Sequence, residues 1–177
     1  KCLPERGRIG IFNRSYYEET LVVRVHPPIL AGQHLPQELV TKSIWEERLE
    51  DIAAFERYFA RQGYLILKYF LHVSKEEQKA RFLSRLDEPE KNWKFALGDV
   101  REREHWDEYQ QAYEATIRAT AAPHAPWFVV PADHKWFTRL VVSQTLVAAI
   151  EGLDLAWPKP ALAPADLAAA RKALAKD

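Results

Sequence analysis

The chain has 177 residues, enough for one domain with a real core, and its 25 Lys and Arg balance 25 Asp and Glu. A formal net charge of zero gives no global field toward nucleic acid or a membrane surface. No apolar run is long enough to cross a bilayer, residues 1–8 are too polar for a signal peptide, and the single cysteine, Cys2, excludes an internal disulfide and suits a reducing compartment, so a cytoplasmic location is expected.

In chain order, residues 8–12 (RIGIF) read as a buried strand that runs into Ser15-x-x-Glu18, a capping box opening a helix. Residues 26–42 hold Pro27, Pro28, Gly32 and Pro36, lack periodicity, and read as a long loop. A second box, Ser43 with Glu46, opens a helix with Trp45, Leu49, Ile52 and Phe59 on one face, stopped by Gly63. Residues 64–72 (YLILKYFLH) read as the next strand, followed by a third box, Ser74 with Glu77. Residues 101–120 form a helical pattern with Trp106, Tyr109, Tyr113 and Ile117 at three- or four-residue spacing.

Residues 127–130 (WFVV) read as the last strand. After it Asp133 is expected to cap a helix carrying Phe137, Leu140, Val141, Gln144 and Ala148 on one side, with Gly152 beyond its end. Pro158, Pro160 and Pro164 mark residues 155–164 as a linker, and residues 165–176 read as an Ala-rich helix with Leu167, Ala170 and Leu174 on one side. Buried strands separated by helices argue for an α/β class with a parallel sheet covered on both faces. The expected division is residues 1–153 as one domain and 154–177 as linker and terminal helix.

The chemistry concentrates where the first strand ends. Asn13, Arg14, Ser15 and Glu18 bring an amide, a guanidinium, a hydroxyl and a carboxylate to the start of a helix, at the sheet edge where open α/β folds bind ligands. That set suggests a phosphate or metal–phosphate site. Structural explanations stand beside it: the capping box accounts for Ser15 and Glu18, and packing for Tyr16 and Tyr17. Arg81, Arg85, Lys91, Lys94, Arg101 and Arg103 form a second cluster, interleaved with acids, for which a solvated surface is the plainer reading. The six histidines show no metal-ligand spacing, and no G-x-S-x-G elbow surrounds Ser15, so zinc and serine-hydrolase chemistry are set aside.

The segment IGIFNRSYYEE resembles the second signature of the polyphosphate kinase 2 family, its counterpart of a Walker B strand. FLSRLDEPEKNWKFALGD resembles that family's lid, and PADHKWFTRL its final strand-to-helix turn; the three occur in the family's order. The resemblance implies a P-loop NTPase-like, thymidylate-kinase-like fold with a helical lid at about residues 81–103, and Mg2+-dependent phosphoryl transfer between inorganic polyphosphate and AMP, ADP or GDP. Carried over residue by residue, it gives catalysis to Arg14, Arg85 and Glu18, and polyphosphate or nucleotide binding to Asn13, Ser15, Tyr17, Arg81, Lys91, Lys94 and Asp99. Asp99 would anchor the closed lid.

Where family members commonly carry Asp this chain has Asn13, which with Glu18 resembles the class III subgroup acting on both AMP and ADP. Those two residues would organise Mg2+. The resemblance also implies a homo-oligomer. Lys135 fits best on the surface of its helix.

No G-x-x-x-x-G-K-[ST] or G-x-D-x-x-G-K loop occurs in the 177 residues. The resemblance therefore implies a preceding part with the phosphate loop and the central strand, without which the 177 residues would not transfer phosphoryl groups. Two other functions fit the same residues: a nucleoside monophosphate or thymidylate-like kinase with ATP as donor, and a non-catalytic polyphosphate-binding module. Formation of ATP or ADP from polyphosphate with no ATP supplied separates them.

Overall fold

The computed structural model describes residues 3–159 and 161–175; Cys2, Pro160 and Lys176 lie outside the described residues. Its contacts divide it into two compact units, one reaching to Val142 and one starting at Ser143.

In the first unit, residues 8–12 join no ladder with any of the described residues. Ile9 and Phe12 are exposed and Ile11 is 88% exposed, the opposite of the buried strand expected there. A strand is held by its neighbour's hydrogen bonds, and apolar composition alone does not make one. Ser15 then caps a 3₁₀ turn, Tyr16–Glu19, accepting from the Tyr17 N–H at 3.4 Å.

Two short helices come next, α1 (Val22–Val25) and α2 (Pro27–Gly32). α2 replaces part of the expected loop. Pro27 and Pro28 occupy its first turn, where a helix has no use for backbone N–H groups and proline is well placed. α3 (Ile44–Arg61) buries Ile44, Leu49, Ile52 and also Glu56. The second capping box does not form: Ser43 makes no side-chain cap bond, and its hydroxyl donates to Glu47 Oε1 at 2.6 Å instead. Gly63, at φ +85°, turns the chain beyond α3 in the left-handed region that glycine enters without steric cost.

β1 (Lys68–His72) and β2 (Trp127–Pro131) pair in parallel, Lys68 opposite Trp127 and His72 opposite Pro131. The α/β class and the parallel pairing are thus as the sequence indicates. β1 is shorter than the apolar run of residues 64–72, since only Lys68–His72 faces a partner strand.

Between the strands lie α4 (Lys75–Asp87), a 3₁₀ turn (Pro89–Lys94), α5 (Leu97–Glu102), a second turn (Arg103–His105) and α6 (Trp106–Thr120). The deepest face of α6 is Ala112, Thr116 and Thr120, while the aromatic stripe is half-buried. Tyr17, Leu21, Ile52 and Ala112 form the core, with Val25, Tyr113 and Trp127 packed on it. α7 (Lys135–Glu151) begins within the first unit, and Gly152 stands just past its end as expected. In the second unit α8 (Pro164–Leu174) is exposed along its length.

Candidate functional site

The end of β2 is locked to the start of α4. Ser74 caps α4, its Oγ accepting from the Glu77 N–H at 3.1 Å. The other half of the expected box belongs to a different residue: Asp133 Oδ1 accepts from the Ser74 N–H at 2.7 Å. Asp133 therefore serves α4, and α7 begins two residues later at Lys135, which leaves Asp133 one residue short of the expected cap position. Hydrogen bonds from the Ser74 backbone and side chain, with help from Arg81, hold the Asp133 carboxyl below the usual carboxylate range. Glu77 turns instead to Arg81, 2.8 Å from its Nε.

Arg81 has a structural part as well. Its Nη2 donates to the Ala132 carbonyl at 2.8 Å and to the Asp133 carbonyl at 2.9 Å, fastening α4 to the turn after β2. One turn on, Arg85 is less committed, with Asp99 at 3.9 Å and its guanidinium 5.3 Å from the Phe82 ring. Pro89 ends α4, and the 3₁₀ turn after it folds back because Asn92 Nδ2 donates to the Arg85 and Leu86 carbonyls, at 2.7 and 3.0 Å. This brings Lys91 and Lys94 beside α4. Lys91 pairs with Glu88, whose carboxyl Lys91 and Ser84 hold below its usual range. Lys94 lies 5.0 Å from the ring of Trp93, itself 79% exposed. Asp99 Oδ2 accepts from the Ala96 N–H at 3.3 Å, ordering the start of α5.

The result is a groove of about 390 Å³ whose charged lining is Arg81, Arg85, Lys91, Lys94 and Lys135 against Glu77. Glu88 and Asp99, which pair with Lys91 and Arg85, stand beside this lining, and the cations still outnumber the acids in a chain of zero net charge. Lys135, assigned from sequence to the helix surface, faces this groove. A second hollow of about 320 Å³ sits at the ends of both strands, lined by His72, Ser74, Pro131, Asp133, His134 and Phe137.

The other expected residues gather around the Tyr16–Glu19 turn. Arg14 has φ +74°, a left-handed conformation uncommon outside glycine. It pairs with Glu18 at 3.4 Å; Arg14 is well exposed, as are Asn13 and Ser15, while Glu18 is half-buried. Tyr17 differs. Expected at the substrate, it is 4% exposed and belongs to the core.

Its hydroxyl donates to Glu56 Oε1 at 2.8 Å, as does that of Tyr16, also at 2.8 Å. Lys68 Nζ donates to Glu56 Oε2 at 2.6 Å, to the Tyr17 hydroxyl at 3.0 Å and to the Thr120 carbonyl at 2.9 Å. Burial, reinforced by the charge of Glu56, pushes both tyrosine hydroxyls above their ordinary value, and burial draws Lys68 down against the opposing pull of Glu56. Sequence reasoning missed this network. Its signal was present: a glutamate one turn beyond Ile52 on the apolar face of α3, and a lysine inside the apolar run YLILKYFLH. A charge buried in such a stripe requires a partner.

Comparison with known proteins agrees with the signatures. The profile of the polyphosphate kinase 2 family matches residues 1–156. The chain is 51% identical over 158 residues to the ADP-polyphosphate phosphotransferase of Rhodopseudomonas palustris, covering 89% of this chain and 55% of that protein. It is 47% identical, with the same coverage, to the AMP/ADP-polyphosphate phosphotransferase of Meiothermus ruber. The crystal structure of polyphosphate kinase 2 from Arthrobacter aurescens matches with a TM-score of 0.86 at 39% identity, over 99% of this chain and 57% of that one. The chain thus spans about half the length of the curated relatives it matches. With the signatures, the fold and the sequence in agreement, the chain belongs to the polyphosphate kinase 2 family.

Proposed function

We propose that this chain carries the lid and the acceptor-side turn of a polyphosphate:nucleotide phosphotransferase. The observation that carries the reading is the groove on α4, where Arg81, Arg85, Lys91, Lys94 and Lys135 face one space. Polyphosphate is a linear polyanion, and a row of cations is what holds one, as with nucleic acid backbones. Arg85, Lys91, Lys94 and Lys135 bind its phosphates in this reading. Arg81 contributes charge while its Nη2 stays with the turn after β2, and Asp99 steadies Arg85 and the lid that spans about residues 81–103.

Arg14 and Glu18 stand at the reacting end. Phosphoryl transfer depends on positioning and charge neutralisation more than on covalent chemistry by the protein. Arg14, exposed and held in an unusual backbone conformation, stabilises the charge on the transferred group, with Arg85 acting from the lid. Asn13 and Ser15 contact the nucleotide or its phosphates. Tyr17 takes no part in binding in this reading, because its hydroxyl is engaged in the core.

The donor chemistry of this turn suits Mg2+ carried on phosphates. Glu18 offers a carboxylate and Asn13 an amide oxygen, and Mg2+ is commonly held by one or two carboxylates with the substrate's phosphates supplying the rest. Among the described residues no three His, Cys, Asp or Glu side chains come together as a dedicated metal cage. When bound, the ion would neutralise charge between the phosphates. Use of both AMP and ADP is supported by Asn13 with Glu18, and by the name of the 47%-identical relative. A cytoplasmic location, suited by the single cysteine, and a homo-oligomer complete the reading.

The test is nucleotide formation by the full-length protein from AMP or ADP, Mg2+ and long-chain polyphosphate with no ATP present. Appearance of ADP or ATP supports the reading. No product, with activity returning when ATP is the donor, moves the protein to the ordinary nucleotide kinases.

A further inference from the structure

Arg14 adopts a left-handed backbone conformation that strains a non-glycine residue and persists where its surroundings over-determine it. The residues just after Arg14 supply that restraint. They are the Ser15 cap and then two consecutive tyrosines, whose hydroxyls converge on the same oxygen of Glu56 at 2.8 Å each. Side chains of successive residues in a tight helical turn diverge, so one acceptor reached by both fixes the rotation of that turn as well as its distance from α3.

Glu56 is 1% exposed, and Lys68 secures its other oxygen at 2.6 Å. For stability alone a well-packed apolar pair would serve as well as a buried ion pair. An apolar pair would not reproduce two directional bonds onto Tyr16 and Tyr17, which stand between Ser15 and Glu18.

We infer that Glu56, anchored by Lys68, is a positioning residue for phosphoryl transfer: through Tyr16 and Tyr17 it holds the turn that presents Arg14 and Glu18. This rests on the phosphotransferase reading above. Glu56 itself touches no substrate; it acts through the geometry of its neighbours.

Glu56→Ala would strand a buried ammonium and is a poor probe, so the test uses Tyr16→Phe in the full-length protein. Tyr16 is partly exposed, and its loss leaves Glu56 bonded to both Tyr17 and Lys68. The expected result is a near-native melting temperature with kcat lowered about tenfold, the scale on which misplaced catalytic groups act. KM for polyphosphate should stay unchanged, since the groove on α4 is untouched. Adding Tyr16→Phe to Arg14→Ala should cost little more than Arg14→Ala alone, and amide hydrogen exchange over residues 15–18 should quicken while α4 does not change.

Wild-type kcat in Tyr16→Phe, or unchanged exchange in that turn, would overturn the inference while leaving the phosphotransferase reading intact. Additive losses with Arg14→Ala would overturn it too. A wild-type protein inactive with polyphosphate overturns the function itself, and the role of Glu56 in transfer with it.

Discussion

Asp133 and Ser74 are 59 positions apart in the chain, yet the carboxylate of one accepts the backbone N–H of the other at 2.7 Å. The strand-to-helix turn after β2 is thereby fixed to the first turn of α4, and the groove that α4 carries is oriented by the sheet. Because the Asp133 carboxyl is held below its usual range in the folded chain, the stability it adds is present above the unfolded carboxylate value of about 4 and is lost as pH falls through the lower folded value. Asp133→Asn should flatten the acid side of a stability-against-pH curve, measured by denaturation at several pH values below about 5.

Arg81 and Arg85 should separate under mutation although they are one turn apart. Arg81→Ala removes charge-assisted bonds to two carbonyls, and destabilisation of about 2 kcal/mol is expected in chemical denaturation. Arg85→Ala leaves those bonds in place and should lower turnover about tenfold or more with little change in stability.

Lys94→Ala and Lys135→Ala should each weaken polyphosphate binding and reduce its salt dependence. The slope of log Kd against log salt concentration should fall by about one unit for each phosphate that is no longer held, by analogy with nucleic acids. Titration at three or more salt concentrations measures this. A Lys135→Ala protein with the wild-type slope would remove Lys135 from the groove's working residues and return it to the surface role its sequence context suggested.

The buried pair Glu56–Lys68 should show the asymmetry of such pairs. Glu56→Ala or Lys68→Ala alone leaves an uncompensated buried charge and should cost about 3–5 kcal/mol. Glu56→Leu combined with Lys68→Met should cost much less than the sum, by equilibrium unfolding of the double-mutant cycle. The double variant should be well folded yet poor in transfer, because Tyr16 and Tyr17 lose their common acceptor.

For Arg14→Ala, turnover should fall by about tenfold or more with polyphosphate affinity retained, measured as kcat and KM on the full-length protein. Wild-type turnover would remove Arg14 from catalysis.

By itself the sequence determined the class, most of the helices and the two paired strands, since these arise from local periodicity, prolines and glycines that act over a few residues. α3 with Gly63 beyond it, α6, α7 and the strand at Trp127–Pro131 were all legible in that way. The family too was legible, because three signatures stand in order along one chain.

Only the tertiary structure decided whether residues 8–12 pair, because a strand exists through its neighbour. It decided the partner of Asp133, whose carboxylate accepts from the Ser74 N–H at the start of α4. It turned Tyr17 inward to Glu56 and brought Lys135 beside Lys91 and Lys94. The contacts of Asp133, Tyr17 and Lys135 join residues far apart in the chain, and spacing along the sequence carries no direct record of what folding brings together.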